Sequence, residues 1–401
     1  MVTGGVFRSL KSFNYRLWAA GALVSNVGTW VQRTAQDWLV LTELTHHNAS
    51  AVGAVMALQF GPQLLLLPWT GFAADYFDRR KLLIATQGAM AGLALGLGLL
   101  TIAGLVELWH VYVFAFLFGC ATAFDAPVRQ TFVGDLVGDA DLSNAVALNS
   151  TSFNAARMIG PAVAGGIIAS IGTGWAFLIN GLSFIGVLMA LRLLRLSELH
   201  PSLRAARGKG SFAEGLRYVW GRRDLQMILV MLFLIGTFGL NFPIFIATMA
   251  VGVFHTDAGG YGLLSSIMAV GTVMGALLAA GRVPHFSTLL AGAVLFGVGC
   301  TLAAIAPGYW LFGAALVVIG VAALTFTNST NSLMQLSTEP HMRGRVMALR
   351  LAIALGGTPI GAPIAGWVAD AFGPRWALGV GAAAGFAAAI VAACHLARKA
   401  A

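Results

Sequence analysis

Long apolar segments separated by short polar ones run along almost the whole chain. A helix needs about 20 apolar residues to cross the roughly 30 Å hydrocarbon core of a bilayer, and by that rule we expect about twelve crossing helices. The predicted crossings are 16–43, 50–74, 82–105, 109–131, 143–170, 175–196, 225–252, 261–281, 287–306, 309–336, 346–371 and 375–396. Since they leave no segment long enough for a sizeable soluble domain, the pattern predicts an all-α membrane protein.

One polar and basic stretch, residues 197–223, separates the sixth predicted helix from the seventh. We therefore predict an N-terminal bundle of six helices at 1–196, a cytoplasmic basic linker at 197–223 and a C-terminal bundle of six helices at 224–401. Within the linker, residues 211–220 favour a short helix that either lies on the membrane surface or is solvated. Its apolar face would consist of Phe212, Leu216 and Val219.

An internal repeat supports two related halves. The segment 159–177 aligns with 360–378 at a constant offset of 201 (360 minus 159). The matched residues are Gly160, Ala164, Gly165, Gly172, Trp175 and Ala176 in the first copy, and Gly361, Ala365, Gly366, Gly373, Trp376 and Ala377 in the second. Parallel repeats of this kind relate the halves of some transporters by an axis along the membrane normal. We therefore predict two pseudo-symmetric six-helix bundles.

Composition agrees with this class of protein. Of the 401 residues 58% are hydrophobic and 10% are charged, whereas soluble domains carry roughly 25% charged residues. The 50 glycines suit helices that pack closely in lipid. We expect no disulfide, no metal site and no cofactor, because no phosphate-binding glycine loop with lysine is present and the cysteines lack ligand spacing. These cysteines, expected as small buried apolar residues, are Cys120, Cys300 and Cys394.

The net charge of +9 is distributed unevenly. If the amino terminus is inside and the chain crosses twelve times, the short outer loops hold only Arg375 among the basic residues. This asymmetry follows the positive-inside rule. It predicts a multi-pass protein of the cell membrane with both termini in the cytoplasm, and it argues against a nucleic-acid partner, which would require one exposed basic face.

A polar stripe runs along the first predicted helix. Its residues are Asn26, Thr29, Arg33, Gln36 and Asp37, and spacings of three and four place them on one face. Because a charge in the membrane interior costs at least about 2.5–3.5 kcal/mol, this face should border protein or a water-filled cavity. We interpret it as one wall of a substrate path with Asp37 as a possible proton carrier; a purely structural Arg33–Asp37 ion pair is the alternative.

Further polar residues inside predicted helices extend this candidate path to both halves. They are Gln59, Gln63, Asn154, Arg157, Asn241, Asn328 and Asn331. Arg157 is a candidate contact for an anion or substrate, and a structural pairing with Asp37 or another polar group is the alternative. Helix–helix hydrogen bonding is the alternative for the two glutamines. Asn241 and Pro243 together predict a break in the seventh helix.

Six stretches carry a family resemblance: FRSLKSFNYRLW, GTWVQRTAQDWLV, GFAADYFDRRKLL, FDAPVRQTFVGDLV, RMIGPAVAGG and RGRVMALRLAIALGGTPIGAPIAGWVADAFGPRWAL. Together they resemble the transmembrane secretion effector group of the major facilitator superfamily, the branch that includes the enterobactin exporter and macrolide-efflux-like proteins. The resemblance covers essentially the whole chain. It implies a twelve-helix fold, cytoplasmic termini, and proton-driven export of a small molecule by alternating access.

The segment GFAADYFDRRK, residues 71–81, is similar to the loop signature G-x-x-x-D-x-x-G-R-R/K of this superfamily. Asp78 replaces the second glycine, so we expect a turn that is built differently. The resemblance implies a cytoplasmic network in which Asp75, Arg79 and Asp125 latch helices together in the outward-facing state; charge that only sets topology is the alternative. The candidate latch residues are Gly71, Asp75, Arg79, Arg80, Asp125 and Arg129.

The run RMIGPAVAGG in the fifth predicted helix resembles an antiporter signature with the core G-P-x-x-G-G, although three residues rather than two separate the proline from the glycine pair. Pro161 removes a backbone hydrogen bond, and the glycines offer a flat face. We expect a bendable, closely packed helix with Gly160, Pro161, Gly165 and Gly166 as its packing motif.

These observations predict a secondary active transporter rather than an enzyme, because the sequence shows no nucleophile and general base at a recognisable spacing. The leading hypothesis is a monomeric, proton-coupled exporter of amphipathic small molecules such as drugs or siderophore-like metabolites. A metabolite importer or facilitator of the same fold is the nearest alternative, and a non-transporting membrane receptor is a further one. The expected partners are the lipid bilayer, protons and a small-molecule substrate.

Overall fold

A computed structural model describes residues 7–138, 140–200, 212–280, 285–339 and 341–400. Throughout these ranges the regular structure is helical. Within helices, eleven side chains lie outside the description: Pro68, Gly71, Phe72, Ala74, Asp75, Phe212, Ala213, Ala279, Ala280, Lys399 and Ala400. The chain forms two compact units, one of Met1–Leu39 and Gly61–Ala206 and the other of Val40–Phe60 and Arg207–Ala401.

The first unit is built from six helices. They are α1 (Phe13–Trp38), α3 (Leu67–Tyr76), α4 (Arg79–Ile102), α5 (Leu108–Val137), α6 (Leu142–Ile171) and α7 (Thr173–Leu193). Side chains at their first turns fix several starts: the Ser12 hydroxyl accepts the backbone N–H of Tyr15, and Glu107 and His110 cap the start of α5 reciprocally. The core includes an edge-to-face contact of Trp18 with Phe132, with ring centroids 5.6 Å apart.

The second unit contains the remaining helices. They are α2 (Ala49–Leu65, of which residues 61–65 belong to the first unit), α8 (Phe212–Trp220), α9 (Arg223–Leu234), α10 (Phe242–Gly252), α11 (Ala258–Ala280), α12 (Phe286–Ile305), α13 (Tyr309–Leu336), α14 (Arg343–Phe372) and α15 (Pro374–Ala400). The predicted short helix in the linker is confirmed as α8. Val219 of its predicted apolar face is buried, and Leu216 is exposed. Gly215 lies against Arg345 of α14.

Nine helical segments of the described chain are long and apolar enough to cross a membrane. They correspond to the predicted crossings other than the first, second and fifth. Helices α1 and α6, at the first and fifth positions, are 26 and 30 residues long and carry the polar side chains described below. The predicted second crossing, 50–74, is interrupted at Leu66 between α2 and α3, where Pro68 lacks the N–H that a continuous helix would use.

Two π-helical segments alter the predicted helices. The first, Leu39–Leu44, directly follows α1 after Trp38. The break predicted at Asn241 is confirmed: α9 passes into the π-helical segment Ile235–Gly239, and α10 starts only at Phe242. Pro243 occupies one of the first two positions of α10. A backbone N–H at these positions has no acceptor within the helix, so proline costs no helical hydrogen bond there.

The sequence repeat has a direct structural counterpart. Helices α6 and α14 are both 30 residues long, and their bounds are related by the same offset as the sequence repeat. Each ends at a glycine with positive φ, 94° at Gly172 and 99° at Gly373, a backbone conformation that favours glycine. The next helix begins immediately afterwards in both copies. The repeat therefore specifies the same helix–turn–helix unit twice.

Within the second unit, the start of α2 is docked on α14. The Asp370 carboxylate accepts the backbone N–H groups of Ala49 at 2.7 Å and Ser50 at 2.8 Å, so it caps a helix that is remote in sequence. Gly366 lies directly against the backbone of Ala49 and Ser50, and Gly53 lies against Ala362. The two glycines allow the helix backbones to approach closely.

Candidate functional site

In the first unit, Trp30 of α1 is the centre of a cluster that also involves α6. The guanidinium carbon of Arg33 lies 4.9 Å from the Trp30 ring centroid, and that of Arg157 lies 6.0 Å from it. Phe153 of α6 contacts the same ring edge to face at 6.0 Å. Two cations therefore flank one aromatic ring, an arrangement that is favourable because the ring face carries negative charge density.

Gly160 allows α6 to approach this cluster. A Cβ atom at this position would lie 2.4 Å from the Cβ of Trp30, which is far closer than two carbon atoms tolerate. Gly160, Pro161 and Gly165 are buried, as their predicted packing role requires. Gly166 differs, because it is exposed and no described atom lies within 4 Å of a Cβ built on it. Its predicted packing role is therefore not seen within this structure.

The C-terminal part of α1 carries Gln36 and Asp37. Both are buried, with 1% and 6% of their surfaces exposed. The charges of Arg33 and Asp37 interact electrostatically. Gln36 Nε2 and Trp30 Nε1 are buried, and neither has a hydrogen-bond partner in the described part of the chain.

Two predicted path residues have less enclosed positions. Asn154 of α6 is exposed, and its amide donates a hydrogen bond to the Ser150 carbonyl of the same helix at 2.9 Å. Gln63 is half-buried on α2, one turn beyond Gln59. Neither is brought into the Trp30 cluster by a hydrogen bond that the structure describes.

Asn26 contacts two of the predicted latch residues. Its side-chain oxygen accepts a hydrogen bond from Arg129 of α5 at 2.9 Å, and Arg129 also forms an ion pair with Asp125 at 2.7 Å. Asp125 in turn accepts hydrogen bonds from Thr86 at 2.9 Å and Gln87 at 2.6 Å, both on α4. The predicted path residue Asn26 and the predicted latch residues Asp125 and Arg129 thus form one buried network that joins α1, α4 and α5.

The charged residues at the start of α4 have other partners. Arg79 donates to both carboxylate oxygens of Asp135 at 2.8 and 2.9 Å, and the network of Asp75, Arg79 and Asp125 in the outward-facing state stays a prediction. Arg80 donates to the carbonyl of Leu191 at 2.6 Å, which satisfies a carbonyl at the end of α7. For Gly71 and for the side chain of Asp75 the structure gives no description, so their predicted latch roles stay predictions.

The departure at Asp78 from the loop signature has a simple structural reason. Asp78 is the residue before α4, its backbone is extended, with φ of −62°, and its carboxylate accepts the N–H of Lys81 at 2.9 Å. An N-cap of this kind needs a short acceptor side chain. The turn therefore uses the cap of α4 where the family signature uses a second glycine.

Predicted path residues of the second unit are distributed over separate places. Gln59 is buried with an unpartnered Nε2, and Asn241, also buried, donates to the Thr237 carbonyl at 2.7 Å. Asn328 lines a cavity of about 240 Å³ between α11, α12 and α13, together with Thr288, Thr325, Ser329 and Ser332. Asn331 is half-buried and lies outside the lining of that cavity.

Sequence reasoning missed four contributors. Trp30 lies within the stretch GTWVQRTAQDWLV and shares its helix face with Arg33, but an aromatic residue in an apolar helix carries no signal of its own. Asp135 lies in FVGDLV, where a second carboxylate ten residues after Asp125 was a readable signal. Thr86 and Gln87 are ordinary polar residues of α4, and only their contact with Asp125 reveals their role.

The helical fold, the crossing segments and the buried charges define a polytopic membrane transporter, not an enzyme. Its twelve-helix arrangement in two bundles is that of the major facilitator superfamily. The chain belongs to the transmembrane secretion effector family of that superfamily, whose sequence pattern it matches over residues 6–400.

Named relatives of similar length are transporters. The chain is 27% identical over 368 residues to the "Multidrug efflux pump Tap" of Mycolicibacterium fortuitum, with 88% of each chain covered. It is 25% identical over 361 residues to the "Staphyloferrin A transporter" of Staphylococcus aureus, with 86% of this chain and 87% of the relative covered.

Solved structures of transporters share the fold at low sequence identity. A bacterial homologue of the human lysosomal transporter Spinster, in an inward-facing and occupied conformation, matches with a TM-score of 0.76 and 14% identity over 97% of both chains. A bacterial homologue of the iron transporter ferroportin, in an inward-facing state, matches with a TM-score of 0.73 and 16% identity, over 94% of this chain and 97% of the other.

Proposed function

We propose that this transporter is a proton-coupled exporter that moves amphipathic small molecules across the cell membrane by alternating access. The substrate site would be the Trp30 cluster of α1 and α6. Export is favoured by the relative described as a multidrug efflux pump, which covers the same length of chain. In this proposal the protein works as a monomer with both termini in the cytoplasm, as the distribution of basic residues predicts.

The single observation that carries the proposal is the set of charges on α1 and α6. Arg33 and Arg157 flank Trp30, and the carboxylate of Asp37 is buried on the same face of α1. Each charge held at mid-membrane costs at least about 2.5–3.5 kcal/mol, which a purely structural role could avoid with apolar residues. Charges of this kind mark substrate and proton pathways in membrane proteins.

Asp37 is the proposed proton carrier. It is a carboxylate on the polar face of α1, and it lies beside the proposed substrate site, so protonation would alter the field at that site. The Asn26–Asp125–Arg129 network and the Arg79–Asp135 pair would act on the conformational equilibrium, because they join α1, α4 and α5 in one arrangement.

One observation favours a second candidate, an importer or facilitator of the same fold. The site carries two guanidinium groups and one carboxylate, so protonating Asp37 would increase its positive charge. A proton and an anionic substrate would then bind cooperatively and move in the same direction, whereas export by antiport requires them to compete.

Transport in proteoliposomes tests both candidates. Vesicles acidified inside are mixed with ethidium or carboxyfluorescein, and uptake is followed by fluorescence before and after the gradient is collapsed. Antiport predicts gradient-driven uptake into acidic vesicles, and cotransport predicts uptake only when the gradient is reversed. Asp37→Asn should abolish the response to the gradient, whereas the exposed control Glu198→Gln should retain it. Absence of gradient-dependent flux in either direction, with folded protein, would remove proton coupling from the proposal.

A further inference from the structure

Helices α11, α12 and α13 of the second unit enclose a cavity of about 240 Å³. Helix α13 packs closely on both neighbours, because Gly275 of α11 lies against the backbone of Val321 and Gly299 of α12 lies against Ile319. Helices α11 and α12, in contrast, have almost no contact with each other. The cavity therefore lies in a groove whose walls are α11 and α12 and whose floor is α13.

The walls of this groove are apolar at its opening. Leu278 of α11 is 51% exposed and Leu295 of α12 is 40% exposed, and both line the cavity. The two helices are long and apolar enough to cross a membrane. Because leucine is among the side chains that the hydrocarbon core favours, the groove opens toward lipid between these two leucines.

The floor of the groove is polar but uncharged. The described lining residues that carry a hydroxyl or amide group are Thr288, Thr325, Asn328, Ser329 and Ser332, and the described lining includes no charged side chain. Ser329 is only 5% exposed. Since it lines the cavity, the small surface that it keeps accessible lies there.

Three of these polar side chains have unused hydrogen-bonding groups. The hydroxyls of Thr327 and Thr330, on the same helix, donate to backbone carbonyls at 2.8 and 2.7 Å, which is a common way for a helix to satisfy a hydroxyl. The side chains of Asn328, Ser329 and Ser332 form no hydrogen bond within the described ranges of the chain. Polar groups without partners are costly beside hydrocarbon, so the occupant of the cavity should supply those partners.

Size and charge narrow the chemistry of this occupant. The volume of the cavity is several times the roughly 30 Å³ that one water molecule takes up in the liquid. A phosphate or ammonium group would find no counter-charge among the described lining residues, and an unpaired charge is poorly stabilised where the dielectric constant is low. Hydroxyl and ester oxygens suit the site, because serine hydroxyls and the asparagine amide both donate and accept hydrogen bonds.

We infer that this groove binds an uncharged glycerolipid of the bilayer, of the diacylglycerol class. The glycerol hydroxyl and the ester carbonyls form hydrogen bonds with Asn328, Ser329 and Ser332, and an acyl chain leaves the groove between Leu278 and Leu295. The site uses no residue of the Trp30 cluster, and binding requires no proton gradient.

Photolabelling of the purified full-length protein tests the inference. A diacylglycerol that carries a diazirine in one acyl chain is incorporated into phosphatidylcholine nanodiscs with the protein and irradiated, and mass spectrometry identifies the labelled peptides. We expect labelling to concentrate on α11 and α12 around Leu278 and Leu295. Unlabelled dioleoylglycerol at about ten times its Kd should reduce this labelling about tenfold.

Two competitors define the chemical class. Dioleoylphosphatidylglycerol adds a charged phosphate to the same acyl chains, and triolein lacks the free hydroxyl. Neither should reduce the labelling by more than about twofold at the same concentration. Equal competition by dioleoylphosphatidylglycerol would overturn the uncharged class. Labelling spread evenly over the membrane-facing helices, as expected if the cavity holds only water, would overturn the site.

Variants locate the binding groups. Asn328→Leu and Ser332→Leu should each weaken competition by dioleoylglycerol about tenfold, the effect of one lost hydrogen bond. The matched control is Gln335→Leu, because Gln335 is a half-buried amide of the same helix outside the lining, and it should leave competition unchanged. Unchanged competition in both lining variants would also overturn the inference.

Folding and transport are read separately. Gel filtration and thermal unfolding show whether each variant folds. If both leucine variants fail to fold, Ser329→Ala, which removes only a hydroxyl, takes their place, and the competition experiment on the unmodified protein still decides the lipid class. Since the nanodisc assay contains no gradient, failure of proton-coupled transport in proteoliposomes would leave the lipid result unaffected.

Discussion

Single residues of the first unit differ in how fully their polar atoms are satisfied. The two carboxylate oxygens of Asp125 accept hydrogen bonds from Thr86, Gln87 and Arg129, and all of these contacts are internal. The donors of Trp30 and Gln36, by contrast, have no described partner. Gln87 Oε1 is also buried without a described partner, so the fully satisfied group of the network is the Asp125 carboxylate. A buried carboxylate whose oxygens are both satisfied holds the surrounding helices in place.

The Arg79–Asp135 pair gives a prediction at this scale. The two side chains are 17% and 10% exposed and are joined by two hydrogen bonds. Asp135→Asn removes the charge of the carboxylate that Arg79 contacts through both oxygens, in a mostly buried position. We expect a destabilisation of about 2–4 kcal/mol, slightly below the value for a fully buried pair, measured as a lower midpoint of thermal unfolding in detergent.

The control for this pair is the exposed one between Arg195 and Glu198, with 57% and 47% of the side chains exposed. Glu198→Gln should change stability by less than about 1 kcal/mol, because water screens exposed ion pairs. The double variant Arg79→Gln with Asp135→Asn should be more stable than Asp135→Asn alone, since it removes the uncompensated charge. Equal effects at the two pairs would contradict the structure.

Helices α1 and α6 depend on one glycine for their contact. Gly160 provides the space into which Trp30 packs, and the same contact brings Arg157 within 6.0 Å of the Trp30 ring. Gly166, six residues further along α6, faces open space. The two glycines belong to one sequence motif but have different physical roles, because only one faces a neighbouring helix.

Matched alanine substitutions test this difference. Gly160→Ala places a methyl group 2.4 Å from the Trp30 Cβ, so the helices must separate. We expect a loss of about 1–3 kcal/mol in stability, as for other overpacked contacts, together with loss of gradient-driven dye uptake in proteoliposomes. Gly166→Ala should leave uptake unchanged and stabilise the helix by up to about 1 kcal/mol. Thermal unfolding and the proteoliposome assay measure both. A larger loss at Gly166 would contradict the assigned contact.

At the scale of the whole molecule, the two halves share a helical repeat but differ in their charged residues. Helices α6 and α14 have the same length and end at glycines of the same backbone conformation. The polar chemistry, however, is not repeated: the Arg33, Asp37 and Arg157 cluster lies in the first unit, and the predicted path residues described in the second unit are uncharged. The two halves therefore differ in where they carry charged residues, although they share a helical repeat.

Membrane topology gives a prediction at this scale. In a background in which the three native cysteines are replaced by alanine, Leu105→Cys and Ser197→Cys place single thiols at exposed positions in different predicted loops. The positive-inside rule predicts that a membrane-impermeant maleimide labels the first in intact cells and the second only after permeabilisation. Labelling of Ser197→Cys in intact cells would contradict cytoplasmic placement of the linker.

The sequence by itself determined the class of protein, the repeat and most helices. Apolar runs of membrane length, glycine abundance and the periodicity of polar residues are local properties. They can be read from the sequence without knowledge of the fold. The break at Asn241 was also readable, because proline and its neighbours constrain their own backbone. Residues Arg33, Asp37 and Arg157 were selected because charges inside an apolar helix are costly wherever the helix packs.

Only the tertiary structure decided which of these residues meet. It paired Arg79 with Asp135, and it joined Asn26 to Arg129 in the buried network. It also brought two arginines to within 6.0 Å of the Trp30 ring. Such contacts join residues that are distant in the chain, and they depend on how helices rotate and approach one another. Periodicity fixes the face of a helix, but packing decides what that face touches.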